Sequence, residues 1–491
     1  MNFAVVFFLN ASANFVLGIA LGAILGPKEF GLFATVALGA TTLGVALFDW
    51  LRLSAMRFYP ASASRAIVSA SLEASYLAMI VAAVAVTAGV LLLGRTYGLS
   101  PALVALVPIM ALAYARSDYS AAQMRARRQA RAYAALAGVR HALTLSVVIA
   151  VALWTRSAGA VLAALIATTL VSLVAVGPAM RTPGASLKRA DPASIRRFVG
   201  YAQPIVASTI LYLVILFVDR QFALRHFGAA ATGKLSLATD LGFRLFLAIN
   251  FLPETLLFQR AVERESEEGA DAAQAQAAAN IVISLAILAP LAAGYMVMAP
   301  TFEAIFAPAA YRGDFARLSV ALAPGFFAYC ALMSTCNPIF QLGHRTWPLT
   351  LAALAALASN VALLHTAAFS SSVEGVARSF AVSLGVGLLV AAVAAAYLRP
   401  VRPKLRELAA VVAGTAAMAA VVRPLNALHP PPLAAALAIL VGGAVYGAIV
   451  AAADIGGLRG AAGLYLGKWI RQAQAGLKTS RRGQRTPPEW S

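Results

Sequence analysis

Cysteine, histidine and acidic side chains are the scarce residues of this 491-residue chain, and each scarcity excludes something. Its two cysteines, Cys330 and Cys336, lie six apart in one apolar run, a spacing that suits neither a disulfide framework nor a zinc site. They read as small core residues. The five histidines (His141, His226, His344, His365, His429) are scattered, with no H-x-x-x-H pair to hold a metal. No G-x-x-x-x-G-K-[ST] phosphate loop and no Ser/His/Asp set can be picked out. A catalyst, a metal and a cofactor are therefore not expected. Charged residues make up 12% of the chain, against about 25% in an ordinary soluble domain. Long polar stretches are missing as well, which leaves no room for a separate globular enzyme.

Hydrophobic residues, at 61%, fill the space that charge leaves. The mean hydropathy is +0.80. Apolar runs long enough to span a bilayer, about 18–20 residues each, centre near Phe15, Ala40, Ala85, Met110, Ser146, Ala167, Tyr212, Phe246, Leu288, Ala328, Leu354, Gly385, Ala416 and Leu440. The expected fold is an all-α integral membrane protein of about fourteen transmembrane helices. The net charge of +20 follows from topology rather than from nucleic-acid binding, because basic residues collect in loops that stay in the cytoplasm. Arg52, Arg57 and Arg65 follow helix 2; Arg125, Arg127, Arg128 and Arg131 follow helix 4; Arg196 and Arg197 precede helix 7; Arg402, Lys404 and Arg406 follow helix 12. All fall on one side, which puts both termini in the cytoplasm. The Ala11-Ser12-Ala13 triplet resembles a cleavage site, but the run continues to Leu25 with no basic residue before it, so a retained first helix is expected. Acidic residues 263–271 read as a solvated segment after helix 8. The tail from Gly467 reads as a surface-lying basic helix that ends disordered.

A weak internal repeat is visible. Helices 1 and 2 join through LGPKEFGLFA and helices 7 and 8 through RHFGAAATGKLSLA, each a glycine-containing outer hairpin. Two six-helix lobes in parallel repeat, helices 1–6 and 7–12, then account for most of the chain, with a site at their interface. The expected divisions are an N-lobe over 1–180, a linker over 181–200, a C-lobe over 201–398, two extra helices over 399–455 and a basic tail over 456–491.

Ionisable groups inside apolar runs cost several kcal/mol unless they face a cavity or a partner. Four lie between Gln203 and Gln259: Asp219 and Arg220 in helix 7, Asp240 and Arg244 in helix 8. Asp240 and Arg244, four apart, can pair on their own helix; the alternative is an arginine offered to an anionic substrate. Arg244 counts about ten residues in from Lys234, near mid-membrane at about 1.5 Å per residue. Arg220 is close enough to the outer end to snorkel as an anchor. Asp219 faces another way and needs its own partner or a proton. Helix 1 carries Asn10, Asn14, Gly18, Gly22 and Gly26 on one face, either a packing stripe of small residues or, for the asparagines, part of a cavity wall. Asp49 and Arg52, with Arg116 and Asp118, sit at the inner ends of helices 2 and 4, where anchoring or a cavity mouth would explain them.

The stretch GAILGPKEFGLFATVALGATTLGVALFDWLRLSAMRF resembles the opening hairpin of the bacterial polysaccharide transporters, which flip lipid-linked oligosaccharides. Leu25, Gly26, Pro27, Phe30 and Gly31 match that family's Leu-Gly-Pro-x-x-[Phe/Tyr]-Gly turn, and Asp219-Arg220 matches its Asp-Arg pair. FQLGHRTWP is similar to the inner end of the family's helix 10. The chain departs from the pattern at Gly233-Lys234-Leu235, where the family has Gly-x-Tyr. The family belongs to a superfamily with multidrug and toxin extruders and the peptidoglycan-precursor flippase. The resemblance implies alternating access between the lobes in a bacterial inner membrane. The implied cargo is an undecaprenyl-diphosphate-linked oligosaccharide for O-antigen, capsule or exopolysaccharide. Expected partners are that cargo, membrane lipids and polysaccharide polymerase and assembly proteins, with no nucleic acid. Arg244, Arg52, Arg220 and Asn14 are the expected cargo-binding residues, and Asp219 and Asp240 the ion-coupling ones. A cation-coupled drug antiporter and a membrane polysaccharide polymerase or ligase are the alternatives.

Overall fold

The computed structural model describes residues 3–62, 64–92, 98–177, 186–343, 345, 347–398 and 401–457, without the side chains of 3–11, 61, 204–205, 252, 255 and 457. The expected tail from Gly467 and residues 181–185 of the expected 181–200 linker lie outside these residues. All regular structure in them is helical. Twelve helices are long and apolar enough to cross a membrane. Two of these are each interrupted at one glycine: Phe3–Ala61 at Gly26 (φ 70°, ψ 171°) and Pro192–Glu268 at Gly228 (φ 81°, ψ 174°). A positive φ is open to glycine and disfavoured for other residues, and Pro27, directly after Gly26, suits a first helical position.

Counting both halves gives fourteen long helices among the described residues, at the expected places. They are α1 (3–25), α2 (27–61), α3 (Arg65–Leu92), α4 (Pro101–Ala126), α5 (Ala130–Thr155), α6 (Ala158–Ala175), α7 (192–227), α8 (229–268), α9 (Ala270–Val297), α10 (Asp314–Leu342), α11 (Trp347–Leu364), α12 (Val373–Leu398), α13 (Leu405–Ala427) and α14 (Pro431–Ala453). The acidic segment 263–268 continues α8 as exposed helix. Outward faces are apolar: Val81, Leu389 and Ile439 are 69%, 62% and 72% exposed. Residues of that kind on α3, α12 and α14 belong against lipid. At the start of α7 the Asp191 carboxylate caps Ala193 N and Ser194 N. The Ser194 hydroxyl donates to it at 2.6 Å, and these bonds hold its pKa below the usual aspartate value.

The lobes meet along α1, α2, α7 and α8. Down α1, Gly22 faces Leu237 and Gly18 faces Leu241 of α8, so these two glycines serve close packing. Along α2, Gly39 faces Phe217 of α7. Both pairings diverge from one point, where the α1–α2 and α7–α8 hairpins touch. A Cβ on Gly31 would lie 2.1 Å from the Ala229 carbonyl oxygen, and one on Gly233 would lie 1.9 Å from that of Pro27. The four residues correspond across the repeat, each 202 positions from its equivalent. We call this end of the bundle the crown, and the end with the α2–α3 and α4–α5 turns the base. The last two helices pack on α9: Tyr446 donates to the Ala286 carbonyl at 2.7 Å, and Gly414 and Gly442 let α13 and α14 approach.

Candidate cargo cavity

Below the closed crown, the lobes enclose a cavity of about 790 Å³ whose walls run from mid-bundle to the base. Asn14 of α1, Arg52 of α2, Arg220 of α7, and Asp240 and Arg244 of α8 all line it. Five of the six residues singled out in the sequence thus converge on one space. Asp219 is the exception and lies behind the wall.

Their pairing differs from expectation. Asp240 and Arg244 do not pair along α8. Asp240 instead accepts a close hydrogen bond from Arg220 of α7, and Arg220 also donates to the Ala34 carbonyl of α2 at 2.8 Å. Arg220 is 5% exposed, so it is not a snorkelling anchor: it ties both lobes together under the crown. An i, i+4 spacing permits a salt bridge, but a neighbouring helix offers a buried guanidinium more acceptors. Arg244 donates to the Asn14 carbonyl of α1 and makes no ion pair among the described residues. The helix begins after Gly228 rather than at Lys234, which places Arg244 ~24 Å from the break at ~1.5 Å per residue.

Asp219, 4% exposed, accepts a bond from the Asn360 amide of α11 at 3.0 Å, while its Oδ2 has no hydrogen-bond partner among the described residues. Arg52 is bound to Asp49 of its own helix at 2.5 Å. The base rim adds residues that the sequence reading passed over or set aside as anchors. Arg140 of α5 lies over the Tyr114 ring at 4.8 Å and 3.8 Å from Asp118. Arg125 lies over Tyr133 at 5.7 Å. Arg116 turns away from the cavity to Glu73 of α3, at 2.7 Å. The rule that exposed Arg244 finds Arg140 too, since it stands ten residues inside the α5 span. Asn360 carries no charge and gave no such signal.

Five arginines and three aspartates (Asp49, Asp118, Asp240) line the cavity, an excess of two positive charges. A low-dielectric wall strengthens that field, so the space favours an anion. Arg244 also borders a second, mainly apolar pocket of about 330 Å³ between α1, α8, the end of α9 and the short helix Ala299–Phe306 that follows it, walled by Phe15, Leu245, Phe302 and Phe306. The Phe15 and Phe306 rings meet edge to face at 5.6 Å. Among the described residues, no cluster of His, Cys, Asp and Glu could hold a metal ion.

No protein-family model and no curated protein sequence matches the chain. Solved structures do. The lipid II flippase MurJ in an inward closed conformation superposes with a TM-score of 0.70 at 12% identity, over 92% of this chain and 98% of that one. A multidrug resistance MATE family transporter of the MOP superfamily, inward-facing, gives 0.59 at 16% identity, over 79% and 95%. Its outward-facing counterpart gives 0.51 at 16% identity, over 80% and 92%. The chain therefore has the fold that the lipid II flippase and the MATE transporters share.

Proposed function

We propose that the protein flips an undecaprenyl-diphosphate-linked oligosaccharide across the bacterial inner membrane for surface polysaccharide assembly. The observation that carries this reading is Arg244, which stands where the electropositive cavity meets the apolar pocket. An amphiphile with an anionic link needs that junction: its diphosphate meets a guanidinium suited to bidentate phosphate contacts, its sugars fill the polar space, and its chain leaves through aromatic side chains. Arg52 and Arg125 near the base draw the anion in, and Asn14 and Arg220 line its path. The base faces the cytoplasm by the distribution of basic residues, so loading occurs from the inside, with both termini on that side. The lobes 1–180 and 201–398 rock about the α1–α8 and α2–α7 seams to release the head group at the crown.

Asp219 is the better of the two ion-coupling carboxylates, since Asp240 already neutralises Arg220. Its second oxygen, without a hydrogen-bond partner among the described residues, suits a proton or a small cation beside the Asn360 amide. A cationic drug fits the cavity poorly, because it would meet the positive excess. The likeness to MATE transporters supports the shared rocking scaffold rather than that cargo.

Flipping of fluorescent undecaprenyl-diphosphate sugar in proteoliposomes tests the reading. The wild type should transfer it. Arg244→Ala should lower the rate at least tenfold with the protein still inserted, and Asp219→Asn should remove any stimulation by an ion gradient. Wild-type flipping by Arg244→Ala would take Arg244 out of the site, and no flipping by the wild type would overturn the cargo.

A further inference from the structure

The guanidiniums in and around the cargo cavity differ in how tightly a carboxylate holds each of them. Arg220 is closely bonded to Asp240, and Arg52 meets Asp49 at 2.5 Å. Arg116, turned away from the cavity, takes both oxygens of Glu73 at 2.7 and 3.0 Å. Arg125, in the last turn of α4, stands at the mouth rather than within. Arg140 of α5 is different from all of these. Its nearest carboxylate oxygen, on Asp118, is 3.8 Å away, and the Asp118 side chain is 63% exposed. That separation is an ion pair but exceeds hydrogen-bond length, and loose, solvent-facing pairs contribute little.

Arg140 is nevertheless held in place. Its Nη1 donates to the Ser117 hydroxyl at 3.2 Å, and its guanidinium lies 4.8 Å from the centre of the Tyr114 ring. Tyr114, Ser117 and Asp118 stand at i, i+3 and i+4, so one face of α4 aims the fork. An oxyanion that hydrogen-bonds Arg140 directly displaces Asp118 at small cost, and it meets a guanidinium that is already ordered.

The position of Arg140 shows which part of the cargo that oxyanion belongs to. Arg244 borders both the polar cavity and the apolar pocket, whereas Arg140 borders the cavity alone. A diphosphate tethered to a lipid chain belongs at the junction, so a group that reaches Arg140 is carried there by the sugars. Asp118, His141 and Thr144 line the wall beside it, and sugar hydroxyls can bond to each of them. We propose that Arg140 is a specificity-determining residue that reads a carboxylate on the saccharide, so that the cargo is a lipid-linked oligosaccharide containing a uronic acid. The displaced Asp118 carboxylate then accepts from the hydroxyls of the same sugar. This inference rests on the reading that the cavity takes a lipid-linked saccharide.

The test separates binding from flipping. The full chain in nanodiscs is offered two undecaprenyl-diphosphate disaccharides that differ only in a terminal glucuronate or glucose, and native mass spectrometry counts the bound lipid. The wild type should retain the glucuronate form more than tenfold better, about the gain from one charge-assisted bond. Arg140→Gln should bring that ratio close to one. Arg140→Lys, which keeps the charge and loses the fork, should restore part of it. Asp118→Asn removes the competing carboxylate and should widen the ratio, which keeps the test decisive if Arg140→Gln folds poorly. An Arg140 that serves only the fold, or that holds the diphosphate, would lower retention of both forms together with the ratio unchanged, and this would overturn the proposal. Equal retention of the two forms by the wild type would do the same. If the wild type also flips the glucose form in proteoliposomes, the reading of the cavity stands without this inference; if it retains neither form, both fall.

Discussion

Arg220 and Arg244 illustrate how neighbours set the task of a charge. Arg220 has a carboxylate, a carbonyl and almost no solvent exposure, and a charge so placed is costly to strand. Arg52 is the contrast: its side chain keeps 36% exposure beside Asp49, and such pairs contribute about 0–1 kcal/mol. Arg220→Ala should destabilise the protein by on the order of 2 kcal/mol, less than for a fully buried pair because Asp240 keeps 31% side-chain exposure. Replacing both partners should cost distinctly less than that single change, since no charge is left behind. Thermal unfolding of the two single variants and the double one forms the cycle that measures this. Additive losses would show that the pair is not coupled.

At the scale of elements, the hairpins at Gly26 and Gly228 place everything else. Their breaks let α1 descend along α8 and α2 along α7, which brings Asn14 to Arg244 and Ala34 to Arg220. The seal above depends on Gly31 and Gly233, where an added methyl would meet backbone. Gly31→Ala should force the hairpins apart at a cost of about 1–3 kcal/mol and shift the population toward an open crown. A cysteine at Ala34 should then react faster with an impermeant thiol reagent applied from the crown side than it does with Gly31 intact. Unchanged reactivity would locate the seal elsewhere.

This level also marks how far the sequence could be read. Fourteen spans were legible because an apolar run of membrane length has few other uses, and the hairpin turns were legible because Gly-Pro and Gly-rich breaks punctuate them. Partners across helices were not. Asp240 stands four residues from Arg244 and twenty from Arg220, yet it chooses the latter; Asn360 reaches Asp219 across 141 positions. Local spacing lists permitted pairs, while the crossing of α7, α8 and α11 decides among them. For the same reason Arg140, ten residues inside the α5 span, passes unnoticed behind a turn full of arginines, although it reaches Tyr114 and Asp118 across helices.

For the molecule as a whole, the reciprocal contact at the crown has a further consequence. Pro27 and Gly31 meet Ala229 and Gly233 as equivalent surfaces meet in a two-fold dimer, residue i on j and j on i, an isologous interface within one polypeptide. Covalent continuity between α6 and α7 is then a convenience rather than a requirement for assembly. Co-expressing the chain as two fragments cut between these helices should give a complex that co-purifies from the membrane, and Gly233→Ala should weaken that association more than a substitution at the lipid-facing Ile439 does. Failure of the intact fragments to associate would mean that the linker enforces the pairing. If they do associate, the two-fold axis also limits divergence: at Gly31 and Gly233 neither repeat can gain a side chain unless the other's backbone moves.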